Sequence, residues 1–152
     1  MGEIDRIRDQ LRRSLEGDAW HGPALLEVLN GVDLVMATAR PLPEAHSIAE
    51  LVLHVTTWMD VAGRRVLGDW SPVSEVRDFP PAPTDEAAWT KAVENLTEAA
   101  ASLDRLLSRE DDGLVGRMAP DGTYRLGLML DGVIQHNLYH AGQIAILKTG
   151  AA

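Results

Sequence analysis

The sequence predicts an all-α protein, an antiparallel four-helix bundle with a broken first helix and long connections. Three observations carry that expectation. Four stretches repeat their apolar residues every three to four positions, the helical period. All eight prolines fall outside the interiors of those stretches. No βαβ alternation, internal repeat or low-complexity tract competes with the helical pattern.

The first helix is expected over about 3–16, with Ile4, Ile7, Leu11 and Leu15 on one face. Gly17-Asp18 interrupts it, and a shorter apolar turn follows Pro23 through Leu25, Leu26 and Leu29. Residues 31–46 form a connection marked by Gly31, Pro41 and Pro43, with one short turn near Val35–Thr38. The second long helix starts at Ser47-Ile48-Ala49-Glu50, which has the form of a capping box, and runs to about Leu67 before Gly68. Its inward stripe is Leu51, His54, Val55, Trp58, Val61 and Ala62.

Residues 69–83 hold Pro72, Pro80, Pro81 and Pro83 and read as a loop without an element of its own. Thr84 is expected to cap the third helix, with Asp85 and Glu86 in its first turn, where the dipole favours anions. Trp89, Val93, Leu96, Ala100, Leu103 and Leu107 then alternate steps of four and three, the seam of a bundle helix. Residues 110–125 form a second loop with a tiny hairpin at Pro120-Asp121-Gly122. The last helix is expected from Leu126 to Lys148, stopped by Gly150, with Leu126, Met129, Val133, His136, His140, Gln143 and Leu147 facing inward.

Length and composition narrow the function. A chain of 152 residues, 45% hydrophobic and 24% charged, fits one globular domain over residues 1–152. It has no cysteine, so disulfides, thiolate metal sites and cysteine nucleophiles are excluded, and a metal here takes nitrogen and oxygen ligands. The net charge of −9 argues against nucleic acid as a partner, since phosphate binding needs a basic patch. The N-terminus lacks the apolar core of a signal peptide, and no window reaches the roughly 20 apolar residues of a membrane span. A cytoplasmic protein with no membrane partner is the expectation.

The histidines carry the chemistry. His136 and His140 stand four apart and point the same way on a helix, the spacing of two ligands to one transition metal. Both lie in an apolar stripe, where an imidazole needs a partner. His54 alone reads as a satisfied core histidine. Beside the pair it becomes a third nitrogen, because a bundle brings the middles of different helices together. Three neutral imidazoles leave a position for water or substrate, which a divalent metal activates as a Lewis acid. His46 reads as a residue packing on the helix start; His21 reads first as a polar residue at the break between two helical pieces, with a place at a pocket mouth as the alternative. Gln143, one turn beyond His140, reads as a bond to a neighbouring helix or, as the alternative, as a residue orienting a ligand, and Trp58 shares the stripe of His54 as a candidate pocket residue. Glu50 is a candidate to support a ligand imidazole, although its capping box already accounts for it. Gly142, inside a helix, suggests close approach of another helix or a subunit. Arg64, Arg65 and Arg125 are candidate anion contacts but read more simply as solvent-exposed, and Asp60 and Asp131 read as solvated.

His46-Ser47-Ile48-Ala49-Glu50-Leu51-Val52-Leu53-His54 and His136-Asn137-Leu138-Tyr139-His140-Ala141-Gly142-Gln143-Ile144 together resemble the DinB/YfiT-like superfamily. Trp20-His21-Gly22-Pro23 resembles one branch of it, and helix order and length extend the likeness over nearly the whole chain. The resemblance implies a four-helix bundle, often a homodimer, with divalent nickel or zinc held by His54, His136 and His140. It also implies a small-molecule substrate. Members include hydrolases, transferases that use low-molecular-weight thiols, and a mycothiol-dependent isomerase. The leading expectation is therefore a metal-dependent, thiol-dependent S-transferase. The alternatives are a hydrolase using metal-activated water and a non-catalytic dimeric metal- or ligand-binding bundle.

Overall fold

The computed structural model describes residues 1–152 and contains eight helices: α1 (Glu3–Glu16), α2 (Leu25–Leu29), α3 (Leu34–Thr38), α4 (Ile48–Val66), α5 (Glu75–Asp78), α6 (Glu86–Leu107), α7 (Gly113–Gly116) and α8 (Leu126–Ala151). The four long ones, α1, α4, α6 and α8, form the bundle. The only extended pairing is a single antiparallel bridge between Met118 and Arg125, the expected hairpin.

Each long helix contacts two others: α1 and α4 both pack on α6 and α8, while α1 does not touch α4 and α6 does not touch α8. Those two pairs are the diagonals. Arg6 meets Asp131 and Asn137 meets Ser14, so α1 and α8 run the same way. The groove between α4 and α6 extends from Thr56 and Asn95 to Leu67 and Leu106, so that pair is parallel too. Arg8 bonds Asp104 and fixes α1 against α6, whose direction is opposite because Ile4 meets Asp112 beyond the α6 C-terminus. Leu51 shares a cavity wall with Gln143 and Leu147, His54 faces His136, and Arg65 near the end of α4 meets Tyr124 just before α8, so α4 and α8 are antiparallel.

That topology explains the long connections. The chain crosses a diagonal between α1 and α4 and again between α6 and α8. Between the parallel neighbours α4 and α6 it must return the full length of a helix, about 28 Å for 19 residues.

The sequence features act locally as expected, with four differences. The capping box at Ser47 and Glu50 forms. The cap of α6 is Asp85 rather than Thr84, because the Asp85 carboxylate accepts from the Ala88 amide. The proline-rich segment is not featureless: Ser74 accepts from the Arg77 amide and starts α5. A further turn, α7, precedes the hairpin. Gly150 does not stop the last helix, which continues to Ala151.

One contiguous core takes up the expected faces of α1, α4 and α6. In α8 the buried centre is Leu130, Ile134, Asn137, Ala141 and Ile144, so His136 and Gln143 flank it instead of lying at its middle. This helix is apolar on nearly every side, and its periodicity alone does not fix its phase.

Candidate metal centre

Three imidazoles converge where α4 packs on α8. His54 and His140 are buried and His136 is half-buried. Nε2 of His136 lies 3.0 Å from Nε2 of His54 and 3.0 Å from Nε2 of His140. One ring nitrogen of each histidine thus meets in a single cluster, positioned to bind a metal ion. The helix repeat supplies the His136–His140 pair, and the antiparallel crossing supplies His54.

The opposite ring nitrogens explain which tautomer is present. Nδ1 of His54 lies 2.9 Å from the carbonyl oxygen of Asp78, which can only accept. Nδ1 of His140 lies 2.5 Å from Oε1 of Gln143. Both Nδ1 atoms therefore carry the proton, and both Nε2 lone pairs face the cluster centre. His136 then has no satisfactory protein-only state. With its proton on Nε2 its buried Nδ1 is an acceptor without a partner; with the proton on Nδ1, three lone pairs confront one another. A cation at the centre removes the second conflict. Nitrogens arranged tetrahedrally at zinc-like bond lengths stand about 3.3 Å apart, close to the spacing here.

Electrostatics keep the donors free of protons. Burial, followed by repulsion from His140 and His54, pushes the His136 imidazole down to about 4. Burial also lowers His140, opposed by its bond to Gln143. Neutral imidazole is the ligand form.

Residues from α5 close the site. Phe79 stacks on His54 with ring centroids 4.1 Å apart and on His46 at 3.8 Å. Trp58 stands edge-on to both His54 and His136, each at 6.4 Å, and its indole N–H donates to the Asp78 carboxylate at 2.7 Å. A cavity of about 230 Å³ adjoins the cluster, lined by Leu42, His46, Leu51, Gln143, Ile146 and neighbours. Three larger grooves lie elsewhere, on the α4–α6 face, the α2–α6 face and beside the start of α1; no triad residue lines any of the four, and the smaller cavity meets the triad through Gln143, which bonds His140.

The other candidate residues sort out plainly. Gln143 bonds a triad imidazole, and Trp58 forms part of the wall. Glu50 does not support a triad imidazole: its carboxylate serves Ser47 and Arg40 and lies 3.5 Å from His46. Burial opposes its ionisation, but the Ser47 amide and Arg40 prevail and hold its carboxyl below the usual range. His21 is exposed, with no hydrogen bond or ring contact to the triad. His46 packs at the helix start as expected. No helix of this chain approaches Gly142, where an added Cβ would meet nothing within 4 Å. Asp60 and Asp131 are partly exposed as expected, but each is paired, with Arg77 and Arg6. Arg65 is not simply at the surface: it is half-buried against two indoles.

Sequence reasoning missed Asp78 and Phe79. The available signal was Ser74 followed by Glu75, a helix start within the proline-rich segment. Asn137, fully buried and bonded to Ser14 at 3.1 Å, was missed because a polar residue beside a histidine pair reads as surface.

No curated protein and no solved structure matches the chain. A family model, described as the DinB superfamily, matches residues 19–144, which include all three histidines.

Proposed function

Because the chain belongs to the DinB superfamily, we propose that it is a metal-dependent enzyme with divalent nickel or zinc held by His54, His136 and His140. The reaction best supported is thiol-dependent S-transfer to a small molecule. The observation that carries this reading is the three-nitrogen cluster whose outer nitrogens are already committed to Asp78 and Gln143. A divalent ion there supplies Lewis acidity, stabilising a thiolate or polarising an electrophile at neutral pH. A set of three imidazoles leaves room for exogenous ligands.

The chain's own residues supply the rest. Asp78 and Gln143 hold the imidazoles in the ligand tautomer and fix their planes. Phe79 and Trp58 form an aromatic wall beside the cluster. The adjoining cavity of about 230 Å³ has the size of a small-molecule subsite and a mainly apolar lining. A hydrolase is the second reading, and the partly exposed Asp78 carboxylate, 3.0 Å from Nδ1 of His54, favours it as a proton acceptor near the site. A homodimer belongs with either reading. The outer face of α8 exposes Leu128, Tyr139 and Ile146 around the open Gly142, and a second copy would cover them.

The test is metal analysis of the purified protein, followed by turnover assays with a panel of low-molecular-weight thiols and electrophiles. The expected result is one equivalent of metal and a thiol-dependent activity lost in His54→Ala. Turnover without thiol supports the hydrolase. Full metal loading with no turnover on either panel overturns both in favour of a non-catalytic metal-binding bundle.

A further inference from the structure

Arg65 lies on α4 two turns beyond Trp58, and its guanidinium lies over two indole rings. Its central carbon is 5.6 Å from the Trp58 ring and 5.3 Å from the Trp70 ring. Nη1 donates to the Tyr124 hydroxyl at 3.3 Å, Nε is buried without a partner, and Nη2 makes no hydrogen bond within the chain. Arg65 also has no carboxylate partner. In a chain of net charge −9 that is unusual: Arg6, Arg8, Arg13, Arg64, Arg77 and Arg105 all pair with acids.

Two more arginines share this property and this neighbourhood. Arg117 donates to the carbonyl oxygen of Val66, next in sequence to Arg65, and Arg125, next to Tyr124, donates to Gly116. The nearby acids are already engaged, Asp69 by Arg64 and Ser71 and Asp121 by Thr123. One end of α4 therefore carries positive charge without its counterion. Trp58 connects it to the metal centre, since the same indole stands 6.4 Å from His54 and from His136.

We propose that Arg65, with the Tyr124 hydroxyl, binds a carboxylate of the substrate whose reacting thiol is directed to the three histidines. The inference rests on the thiol reading above and adds to it the substrate class: an acidic thiol, with its carboxylate and sulfur separated by about the width of an indole. Contact with the Trp58 and Trp70 rings and the bond to Tyr124 hold the guanidinium in place and leave its Nη2 to a carboxylate, the planar partner that a guanidinium fork matches. Net negative charge elsewhere repels such a ligand, so the cationic end of α4 also selects where it approaches.

The test uses the full chain loaded with cobalt(II) and two probes, 6-mercaptohexanoate and 6-mercaptohexan-1-ol. Each is titrated against the visible cobalt bands and by calorimetry. The expected result is an affinity about 10- to 100-fold higher for the acid. Arg65→Gln should abolish that preference and leave the affinity for the alcohol unchanged. Equal affinities in the wild type, or a preference that survives in Arg65→Gln, overturns the proposal. Cobalt bands that respond to neither thiol overturn the thiol reading instead, and calorimetry of 6-mercaptohexanoate with and without Arg65 still decides the carboxylate site. If Arg65→Gln loses helicity, Arg65→Lys replaces it. A point charge without the planar fork should retain less than about one-fifth of the preference, and full retention overturns the proposal.

Discussion

Asp78 reaches His54 with two oxygens: its carbonyl lies 2.9 Å from Nδ1, and its carboxylate lies 3.0 Å from the same nitrogen. The backbone contact depends only on where α5 sits, whereas the carboxylate contact depends on the side chain. Asp78→Asn keeps the carbonyl acceptor and should weaken metal binding by about tenfold, the low end for a supporting contact. Competition with a chromophoric chelator measures it, and a loss of a thousandfold would show that the carboxylate itself is a ligand.

Gln143 is the only acceptor for Nδ1 of His140, at 2.5 Å. Gln143→Leu removes it without changing the helix, so metal affinity should fall by about 10- to 100-fold, with little change in the far-ultraviolet dichroism. Unchanged affinity in that variant would mean that packing against Tyr139, rather than the hydrogen bond, orients the imidazole.

The acid sensitivity of the metal-free protein has a definite sign. His136 is held down at about 4, while an imidazole in the unfolded chain titrates near 6.5. Between those values the unfolded state binds the proton and the folded state does not. This source contributes no pH dependence above the unfolded value, and stability falls as pH drops from about 6.5 toward 4. Urea unfolding of chelator-treated protein should have a lower midpoint at pH 5 than at pH 7.5. The difference should shrink in His136→Asn; an unchanged difference would assign the effect to other groups.

Asn137 is fully buried and bonded to Ser14 at 3.1 Å, with its Oδ1 unpartnered. Asn137→Ala leaves a cavity between α1, α4 and α8 and should destabilise the fold by about 1–3 kcal/mol. Denaturant unfolding reads this directly, and a change below about 0.5 kcal/mol would mean that the helices close over the space.

The exposed apolar face of α8 predicts self-association. Ile146→Glu places a charge on that face and should convert a dimer to a monomer in sedimentation experiments without lowering metal content. A wild-type protein that is monomeric at high micromolar concentration removes the dimer from the proposed function.

The parts of the fold visible in the sequence were those set by local periodicity. Ile4, Ile7, Leu11 and Leu15 faced the core as their spacing required, and Ser47 with Glu50 formed the predicted cap. The three histidines were legible because a four-residue step puts His136 and His140 on one side of any helix, and the amphipathic stripe of α4 set the face of His54. Direction was not legible. Nothing in the period of α4 or α6 states that the two run parallel, which depends on how a proline-rich segment returns between them. Asp78, Phe79 and the environment of Arg65 were hidden for that reason: each owes its place to long-range packing of a connection. The phase of α8 was ambiguous because apolar residues surround it, so the face bearing Asn137 was recognised only in three dimensions.

His54 and His136 are 82 residues apart in sequence, more than half the chain. An ion shared by them would act as a reversible cross-link, closing a loop that contains α5, α6 and α7 and removing conformational freedom from the unfolded ensemble. Occupancy of the site would then set the cooperativity of the whole bundle. Chelation would shorten the lifetime of the native state even for regions far from the imidazoles, and metal supply would govern the chain's resistance to proteolysis as well as its chemistry.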